Sequence, residues 1–338
     1  MKSLLIFFSF LTLLCCEARS QGFGIPSAKW GIGFGNSPRF TGIRINPVDR
    51  NVERISGIDL SVWFSKNMEN QSGVFNGIGI GLPLATGTAI RNGISVGILG
   101  VATSGSVNGL NIGGLAVGTG KQVNGINLAG IAVGSGNNVT GLNIAGLVVG
   151  AGENVTGINL AGLVTGSGNN ISGINFGTLA VGAGENITGH NLSGVVVGSG
   201  ENITGINLAG LVVGAGGTVK GITAAGLVAA AGEQMKGINF GGLVVASPNL
   251  TGLNIGLVAG GKNVNGITIA PAYCRIEDGT LNGIAISAFN HIRGTQHGLT
   301  IGIFNYAREI KGLQLGLLNY VRSNPGGLKI LPVFNTSF

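Results

Sequence analysis

Cysteine and charged residues are scarce in this sequence. Three cysteines are present, and two of them lie in an apolar stretch at the amino terminus. Cleavage of that stretch leaves only Cys274, which excludes an intrachain disulfide in the exported chain. Charged residues make up 9% of the chain against 44% hydrophobic residues. A chain so poor in charge and so rich in apolar residues is not intrinsically disordered.

Motifs for catalysis, metal binding and nucleic-acid binding are also lacking. The three histidines have no cysteine or carboxylate at a metal-ligand spacing, and no carboxylate cluster repeats along the chain. The net charge of +7 comes from the two ends of the sequence, with no contiguous basic patch and no interleaved aromatic residues. We therefore expect no enzyme activity, no cofactor, no metal and no nucleic-acid partner.

The amino-terminal segment predicts export. Residues 1–20 carry Lys2, an apolar run and a final Ala-Arg-Ser, which is typical of a signal peptide cleaved before Gln21. A lipoprotein acylated at Cys15 or Cys16 is the alternative. No later apolar run reaches the roughly eighteen residues of a membrane span, so the sequence predicts no transmembrane helix.

Glycine is abundant, with 66 residues, and its spacing reveals a repeat. From Gly77 to Gly237 a glycine opens a new unit every 16 residues, and six further units continue to Gly327 at spacings of 14 to 17. The short alternating apolar runs predict strands, while the glycine density excludes helices. We expect a signal peptide (residues 1–20), an N-terminal cap with the first irregular β units (21–76) and a repeat array (77–338). The charged stretch from Asp49 to Arg54 is expected to cap the first coil.

Two all-β folds fit this repeat. One is a β-solenoid of roughly 16-residue coils with two short strands per coil; the alternative is an outer-membrane β-barrel with one strand per repeat. Nine repeats place two residues, such as Ala209 and Gly210, between paired apolar positions, and the other eight place one. Such an insertion inverts a straight strand but is tolerated at a corner, so we predict the solenoid. The alternating register that ends at Phe338 keeps the barrel open, although three tyrosines and two tryptophans are few for aromatic girdles.

Stacked coils bring equivalent residues ~4.8 Å apart, in ladders. We expect Ile206, Leu208, Leu211 and Val213 to point inward, which turns an asparagine ladder towards solvent. Its amides should hydrogen-bond from coil to coil, and an exposed array of this kind would suit a repetitive target such as a glycan or ice. The ladder consists of Asn111, Asn127, Asn143, Asn159, Asn175, Asn191, Asn207, Asn239 and Asn254.

A second ladder should face outward between the inward positions of the second strand. Its nine rungs would form an apolar stripe ~40 Å long, and soluble monomers seldom expose so much apolar surface. We expect this candidate contact stripe to mediate self-association or contact with the outer membrane. Its members are Ala116, Ala132, Val148, Val164, Ala180, Val196, Val212, Val228 and Val244.

Three segments that flank the most regular repeats resemble segments of known proteins. They are residues 40–63, 270–294 and 298–332, of which the unit GLQLGLLNY (312–320) is the most specific. These segments resemble exported bacterial glycine-rich surface-repeat proteins of unknown function, and the resemblance implies an envelope-associated protein without assigning an activity. We expect a non-enzymatic structural or adhesive protein, exported to the bacterial cell surface or outer membrane. An outer-membrane pore is the alternative function.

Overall fold

The computed structural model describes residues 22–65 and 71–337, so the expected signal peptide lies outside the described residues. The chain divides into two compact units, which are unit 1 (Met1–Gly152) and unit 2 (Glu153–Phe338). Each unit is a stack of parallel coils of about 16 residues, which confirms the predicted β-solenoid. Among the described residues, none of the helices has the length and apolar character needed to cross a membrane.

Unit 1 opens with an antiparallel hairpin and continues with parallel coils, and its pairing in the coil register begins before Gly77, since Gly42 pairs with Gly57. The hairpin strands are β1 (Phe23–Ser27) and β2 (Trp30–Phe34). The long strands are β3 (Arg39–Val48), β4 (Arg54–Trp63), β5 (Val74–Gly81), β7 (Ile90–Gly97), β9 (Ser106–Gly113), β11 (Gln122–Ala129) and β13 (Asn138–Ala145). The short strands are β6 (Leu84–Ala85), β8 (Gly100–Thr103), β10 (Ala116–Thr119), β12 (Ala132–Ser135) and β14 (Val148–Ala151).

Unit 2 repeats the same alternation of long and short strands and then becomes less regular. Its regular long strands are β15 (Asn154–Ala161), β17 (Asn170–Gly177), β19 (Asn186–Ser193), β21 (Asn202–Ala209) and β23 (Thr218–Ala225). The short strands are β16 (Val164–Ser167), β18 (Ala180–Ala183), β20 (Val196–Ser199), β22 (Val212–Ala215) and β24 (Val228–Ala231). The last coils comprise β25 (Gln234–Ala246), β26 (Asn249–Gly261), β27 (Asn263–Ile269), β28 (Tyr273–Ile276), β29 (Thr280–Ile286) and β30 (Phe289–Val321), a 3₁₀ helix (Gly326–Leu328) and an antiparallel closing strand, β31 (Ile330–Thr336).

Strands of successive coils pair in parallel and in register, so each residue stacks on the residue at the same repeat position. In unit 2, Asn191 pairs with Asn207 between long strands, and Val197 pairs with Val213 between short strands. The alternative fold, a barrel with one strand per repeat, is wrong because it requires antiparallel neighbours. The alternative function as a pore depended on that fold.

The corner between the two strands of a coil absorbs changes in repeat length. Gly241 of β25 pairs with Gly256 of β26, and Val244 pairs with Val258, so two residues of one corner face one residue of the next. The register of the following short strand is kept. This confirms that the Ala-Gly position is a corner.

Three glycine positions of a regular coil lie against the backbone of the neighbouring coil, although Thr178 takes one of them in its own coil. Gly205, which opens its coil, has a φ of 120°, where residues with a side chain are strained. A Cβ atom at Gly205 would also overlap the carbonyl oxygen of the coil below. Gly210 and Gly216, at the corners before and after the short strand β22, would meet the same obstacle.

The interior of a coil is narrow and partly polar. Ile203, Asn207 and Val213 are each 0% exposed, whereas Leu208 is 38% and Leu211 42% exposed. The expected inward direction is therefore correct for Val213 and wrong for Leu208 and Leu211, and Ile206 is only half-buried. The reason is that side chains along the long strand point alternately inward and outward. Ile203 is buried, and the two-residue alternation from Ile203 places Asn207, not Leu208, on the inside.

Candidate contact face

The asparagine ladder lies inside the coils and is joined by amide hydrogen bonds. In unit 2, Nδ2 of Asn159 donates to Oδ1 of Asn175 at 2.8 Å, and the same bond continues through Asn191 to Asn207 at 2.9 and 2.8 Å. The ladder members of unit 1 are linked in the same way, from Asn111 through Asn127 to Asn143. The predicted bonding between coils is confirmed.

The predicted exposure of this ladder is wrong. All nine asparagines are at most 2% exposed, so they do not form a surface for a glycan or ice. Burial is tolerated because the amides bond to one another, and only atoms at the ladder ends, such as Oδ1 of Asn111 and Nδ2 of Asn254, lack a partner in the described part of the chain; a buried polar group without a partner costs about 1–3 kcal/mol. At Thr223 the ladder is interrupted, and within the described structure the Thr223 hydroxyl has no hydrogen-bond partner.

The exterior of unit 2 is apolar over much of each coil. Ile206, Leu208 and Leu211 project outward from the long strand and the corner, and Val212 does so from the short strand. The residues at the corner form a row that is 37–49% exposed, which we name the corner leucine row: Leu163, Leu179, Leu211, Leu227, Leu243 and Leu257. Val195, which is half-buried, occupies the position between Leu179 and Leu211. Exposed apolar patches of this kind are typical of interaction sites.

Polar exterior residues are concentrated around the start of the long strand. Thr204 is exposed just before the glycine that opens its coil, and Glu201 is exposed in the preceding turn. The next coil carries Lys220 at the position of Thr204. We name this set the threonine row: Thr156, Ser172, Thr188, Thr204, Lys220 and Lys236.

The candidate contact stripe lies on the surface of the short strands. Its members in unit 1, Ala116, Ala132 and Val148, pair in register, and so do its members in unit 2, from Val164 to Val244. Ala116 and Val148 are exposed and the remaining seven are half-buried. The described part of the amino-terminal segment is itself stacked within unit 1.

A row of glycines runs beside the stripe in unit 2, two residues further along each short strand. It consists of Gly166, Gly182, Gly198 and Gly214. A Cβ atom built at any of them would have no neighbour closer than 3.6 Å, and Ala230 occupies the next position. The fold therefore does not require glycine here. A strand glycine of this kind is typical of a site where another backbone or a ligand comes close.

Bulky side chains occupy the same face in the last coils of unit 2. The stripe continues from Val258 to Tyr273 and Phe289. The neighbouring row continues from Gly260 to Arg275 and His291. The aromatic rings contact one another, because Phe289 and Phe304 lie 4.9 Å apart between centroids, Tyr306 and Tyr320 stack at 5.3 Å, and the Tyr273 hydroxyl lies 2.8 Å from Nδ1 of His291.

The charged residues at the corner after the short strand change sign along unit 2. Glu185, Glu201 and Glu233 follow the regular short strands, whereas Arg293, Arg308 and Arg322 stand at this corner in the last coils. Within the described residues, none of these six side chains is in an ion pair. Burial, and then the positive charges of Arg293 and Arg275, lower the pKa of His291. The same corner also carries Glu277 and Asp278, and Glu277 pairs with Arg275 at 3.6 Å, so the basic corners of the last coils are those of Arg293, Arg308 and Arg322.

Unit 1 buries an ionic cluster instead of an amide ladder in its first coils. Arg44 donates from Nε to Asp59 at 2.7 Å and also binds Asp49. The Arg91 guanidinium lies over the Phe75 ring at 4.4 Å. Asp49 is 2% exposed, so the expectation that it belongs to a polar cap is wrong. Burial, and then Asp59, raise the pKa of Asp49, while Arg44 and Arg91 oppose the shift.

The buried cysteine and the acidic and histidine side chains of the described residues offer no reactive thiol and no metal site. Cys274 is a free, buried thiol whose pKa is raised to about 12 by burial, which makes it chemically inert at neutral pH. Across residues 22–65 and 71–337, no three His, Cys, Asp or Glu side chains converge in a way that would hold a metal ion.

The glycine row and the aromatic and arginine positions beside it were not predicted. A signal for the first is a fourth glycine per repeat, in the middle of an alternating strand and not at a turn. The aromatic residues could not be assigned to this row from the sequence because the spacing of the last repeats varies. No family, curated protein or solved structure matches this chain. Its function is therefore inferred from the contact surfaces themselves.

Proposed function

We propose that this chain is a non-enzymatic structural or adhesive protein of the bacterial envelope, which acts by contact through its apolar exterior. One observation carries the proposal. In unit 2 the hydrogen-bonded asparagines are inside, while rows of leucine, isoleucine and valine are outside. Such an arrangement favours a protein that is covered by an apolar partner.

The corner leucine row supports this function by its size. Its six leucines are 37–49% exposed. Complete burial of a leucine side chain stabilises by about 1.5–3 kcal/mol, so covering the exposed part of six leucines would contribute roughly 5 kcal/mol before the cost of association. A repeated row can thus bind strongly although each rung contributes little.

An envelope location is part of the proposal. It is supported by the export signal expected at residues 1–20 and by the resemblance of the flanking segments to exported surface-repeat proteins. The apolar partner would then be the outer membrane or another surface-layer protein chain.

Cell fractionation with substituted proteins tests this function. The variant replaces Leu163, Leu179 and Leu211 with lysine, and the control replaces Thr156, Thr188 and Thr204 with lysine. The control adds the same charge to the threonine row, where Lys220 is natural. We expect the unsubstituted protein and the control in the envelope pellet, released only by detergent, and the leucine variant in the soluble fraction.

Circular dichroism must show that all three proteins keep their strands. If the folded leucine variant stays in the pellet as firmly as the control, the corner leucine row is not the contact surface, and the proposed function loses its basis.

A further inference from the structure

We propose that unit 2 binds a second copy of itself, face to face and antiparallel, through the outward residues of its short strands. The proposal rests on the contact function above and names the partner for one surface. We call this surface the short-strand face; it comprises the stripe in unit 2, the glycine row and their continuations in the last coils.

The short-strand face carries small side chains in one half, which we call the small half, and large side chains in the other, the bulky half. The row that begins with Gly166 has eleven rungs. Strand pairing establishes their register up to His291, and ring contacts extend it to Tyr306 and Tyr320. The first seven rungs carry only glycine or alanine, and the last four carry large side chains. In order they are Gly166, Gly182, Gly198, Gly214, Ala230, Ala246, Gly260, Arg275, His291, Tyr306 and Tyr320.

An antiparallel pair matches these two halves to each other. A two-fold axis at Ala246, the sixth rung, places Tyr306 of one copy opposite Gly182 of the other and His291 opposite Gly198. The open space above these glycines, with no neighbour within 3.6 Å of a built Cβ, then receives a side chain from the second copy. A parallel pair would instead set bulky rungs against bulky rungs and leave gaps between the glycines.

Charge complementarity selects the same arrangement. The corner beside the face carries Glu185 and Glu201 in the small half, and Arg293 and Arg308 in the bulky half. In the antiparallel pair Glu185 and Glu201 of each copy lie opposite Arg308 and Arg293 of the other, twice by symmetry, while Glu277 and Asp278 fall opposite the neutral Gly217. Glycines in the adjoining row let the two sheets approach at this edge, so that side chains without an ion pair in the described chain gain one.

The centre of the face has the shape that such a pair needs. A groove of about 790 Å³ lies where the small rungs give way to the bulky ones, and Ala230, Ala246, Gly260, Tyr273 and Arg275 are among its lining residues. The proposed axis passes through this groove. At this axis the change from small to large side chains in one copy lies opposite the same change in the other copy, which runs in the reverse direction.

The area is sufficient for a specific dimer. Eleven rungs at ~4.8 Å and strands of four residues give a footprint of ~50 by ~13 Å, or ~650 Å² per copy. The pair would bury ~1,300 Å², above the ~1,000 Å² expected of a specific interface. A two-fold contact uses the same surface on both copies, so assembly through this face stops at two.

Charge reversal tests the arrangement directly. One variant carries Glu185→Arg and Glu201→Arg, and the other carries Arg293→Glu and Arg308→Glu, in the full chain from Gln21. We expect the unsubstituted protein to sediment as a dimer, each variant to dissociate with an affinity lowered at least about tenfold, and an equimolar mixture of the two to form dimers again. Dimers that persist in either variant, or a mixture that stays monomeric, would overturn the antiparallel pair.

Substituting the glycine row with leucine distinguishes this interface from non-specific hydrophobic association. Gly182→Leu with Gly198→Leu enlarges the apolar surface and yet blocks the space for Tyr306 and His291, so we expect monomers. The matched control, Thr188→Leu with Thr204→Leu, adds similar side chains to the threonine row of the same coils and should remain dimeric. If the glycine variant associates as well as the control, shape complementarity is absent and the proposal fails. The mass in solution reports on this interface alone, whereas envelope retention of the leucine variant reports on the proposed function.

Discussion

At the scale of single residues, the interior of unit 2 is defined by amides and not by its largest apolar side chains. Asn207 accepts a hydrogen bond from Asn191 at 2.8 Å and is 0% exposed, whereas its neighbour Leu208 is 38% exposed. Leu208 lies outside because the alternation of side chains along the strand turns its neighbour Asn207 inward. Asn207 is less hydrophobic than Leu208, and its burial is stable because its amide accepts a hydrogen bond from Asn191 and donates to the carbonyl of Gly205.

Aspartate substitutions at these two neighbours should therefore have unequal effects. Asn207→Asp buries a carboxylate and removes an amide donor, which we expect to cost several kcal/mol, about 3 or more. Leu208→Asp places its charge at the surface and should cost about 1 kcal/mol or less. Thermal unfolding followed by circular dichroism measures both. A lower melting temperature for Leu208→Asp than for Asn207→Asp would contradict the assigned inside and outside.

At the scale of the strand and its corners, glycine has two distinct uses. At Gly205 it allows a φ of 120° and avoids the carbonyl oxygen of the next coil. At Gly214 a Cβ atom would have no neighbour closer than 4.0 Å, and the following coil carries Ala230 at this position. Coil stacking dictates the first kind, and the proposed partner explains the second.

Alanine scanning of these two glycines tests the distinction. Gly205→Ala should lower the free energy of unfolding by at least about 1–3 kcal/mol because of backbone strain and overlap. Gly214→Ala should leave it unchanged or raise it by about 0.4–1 kcal/mol, since alanine reduces the entropy of the unfolded chain. Denaturant unfolding of monomeric protein gives both values. Similar losses for the two variants would mean that the Gly214 site is not open.

At the scale of the whole molecule, the two units satisfy their buried polar groups differently. Unit 2 relies on neutral amides, whereas unit 1 encloses Arg44, Asp49, Asp59 and Arg91 in its first coils. The four ionic side chains balance in charge. Gly79 leaves space for the Arg91 guanidinium, which a Cβ atom there would overlap.

Removal of one arginine should make the stability of unit 1 depend on pH. Arg91 lowers the pKa of Asp49, which burial and Asp59 raise, so Arg91→Val raises that pKa further above its unfolded value near ~4. A carboxyl group with a raised folded pKa binds protons preferentially in the folded state. The stability that it contributes is lost as pH rises from its unfolded pKa through its folded pKa. We therefore expect Arg91→Val to destabilise more at pH 7 than at pH 4. Val123→Ala, which leaves a neutral cavity in the next coil but one after Arg91, should show a loss independent of pH.

The sequence predicted the features that depend on local geometry. Glycines every 16 residues, alternating apolar runs and a tolerated insertion indicated coils, strands and a corner, because each is set by backbone sterics within one repeat. The burial of Asn207 was also within reach, since parity from Ile203 requires it. It was missed because Ile206 and Leu208 are more hydrophobic than the residue between them.

Only the tertiary structure decided what the exterior carries and where. Stacking pairs the asparagine amides, and this pairing makes a polar interior stable and leaves the leucines outside. Changes in repeat length are absorbed at corners, so that Arg275 and His291 join the row that begins with Gly166 although their spacing in the chain is irregular. Whether a strand glycine is crowded or open depends on the neighbouring coil, which no single repeat contains. The contact face is therefore a property of the stack, whereas the coil is a property of the repeat.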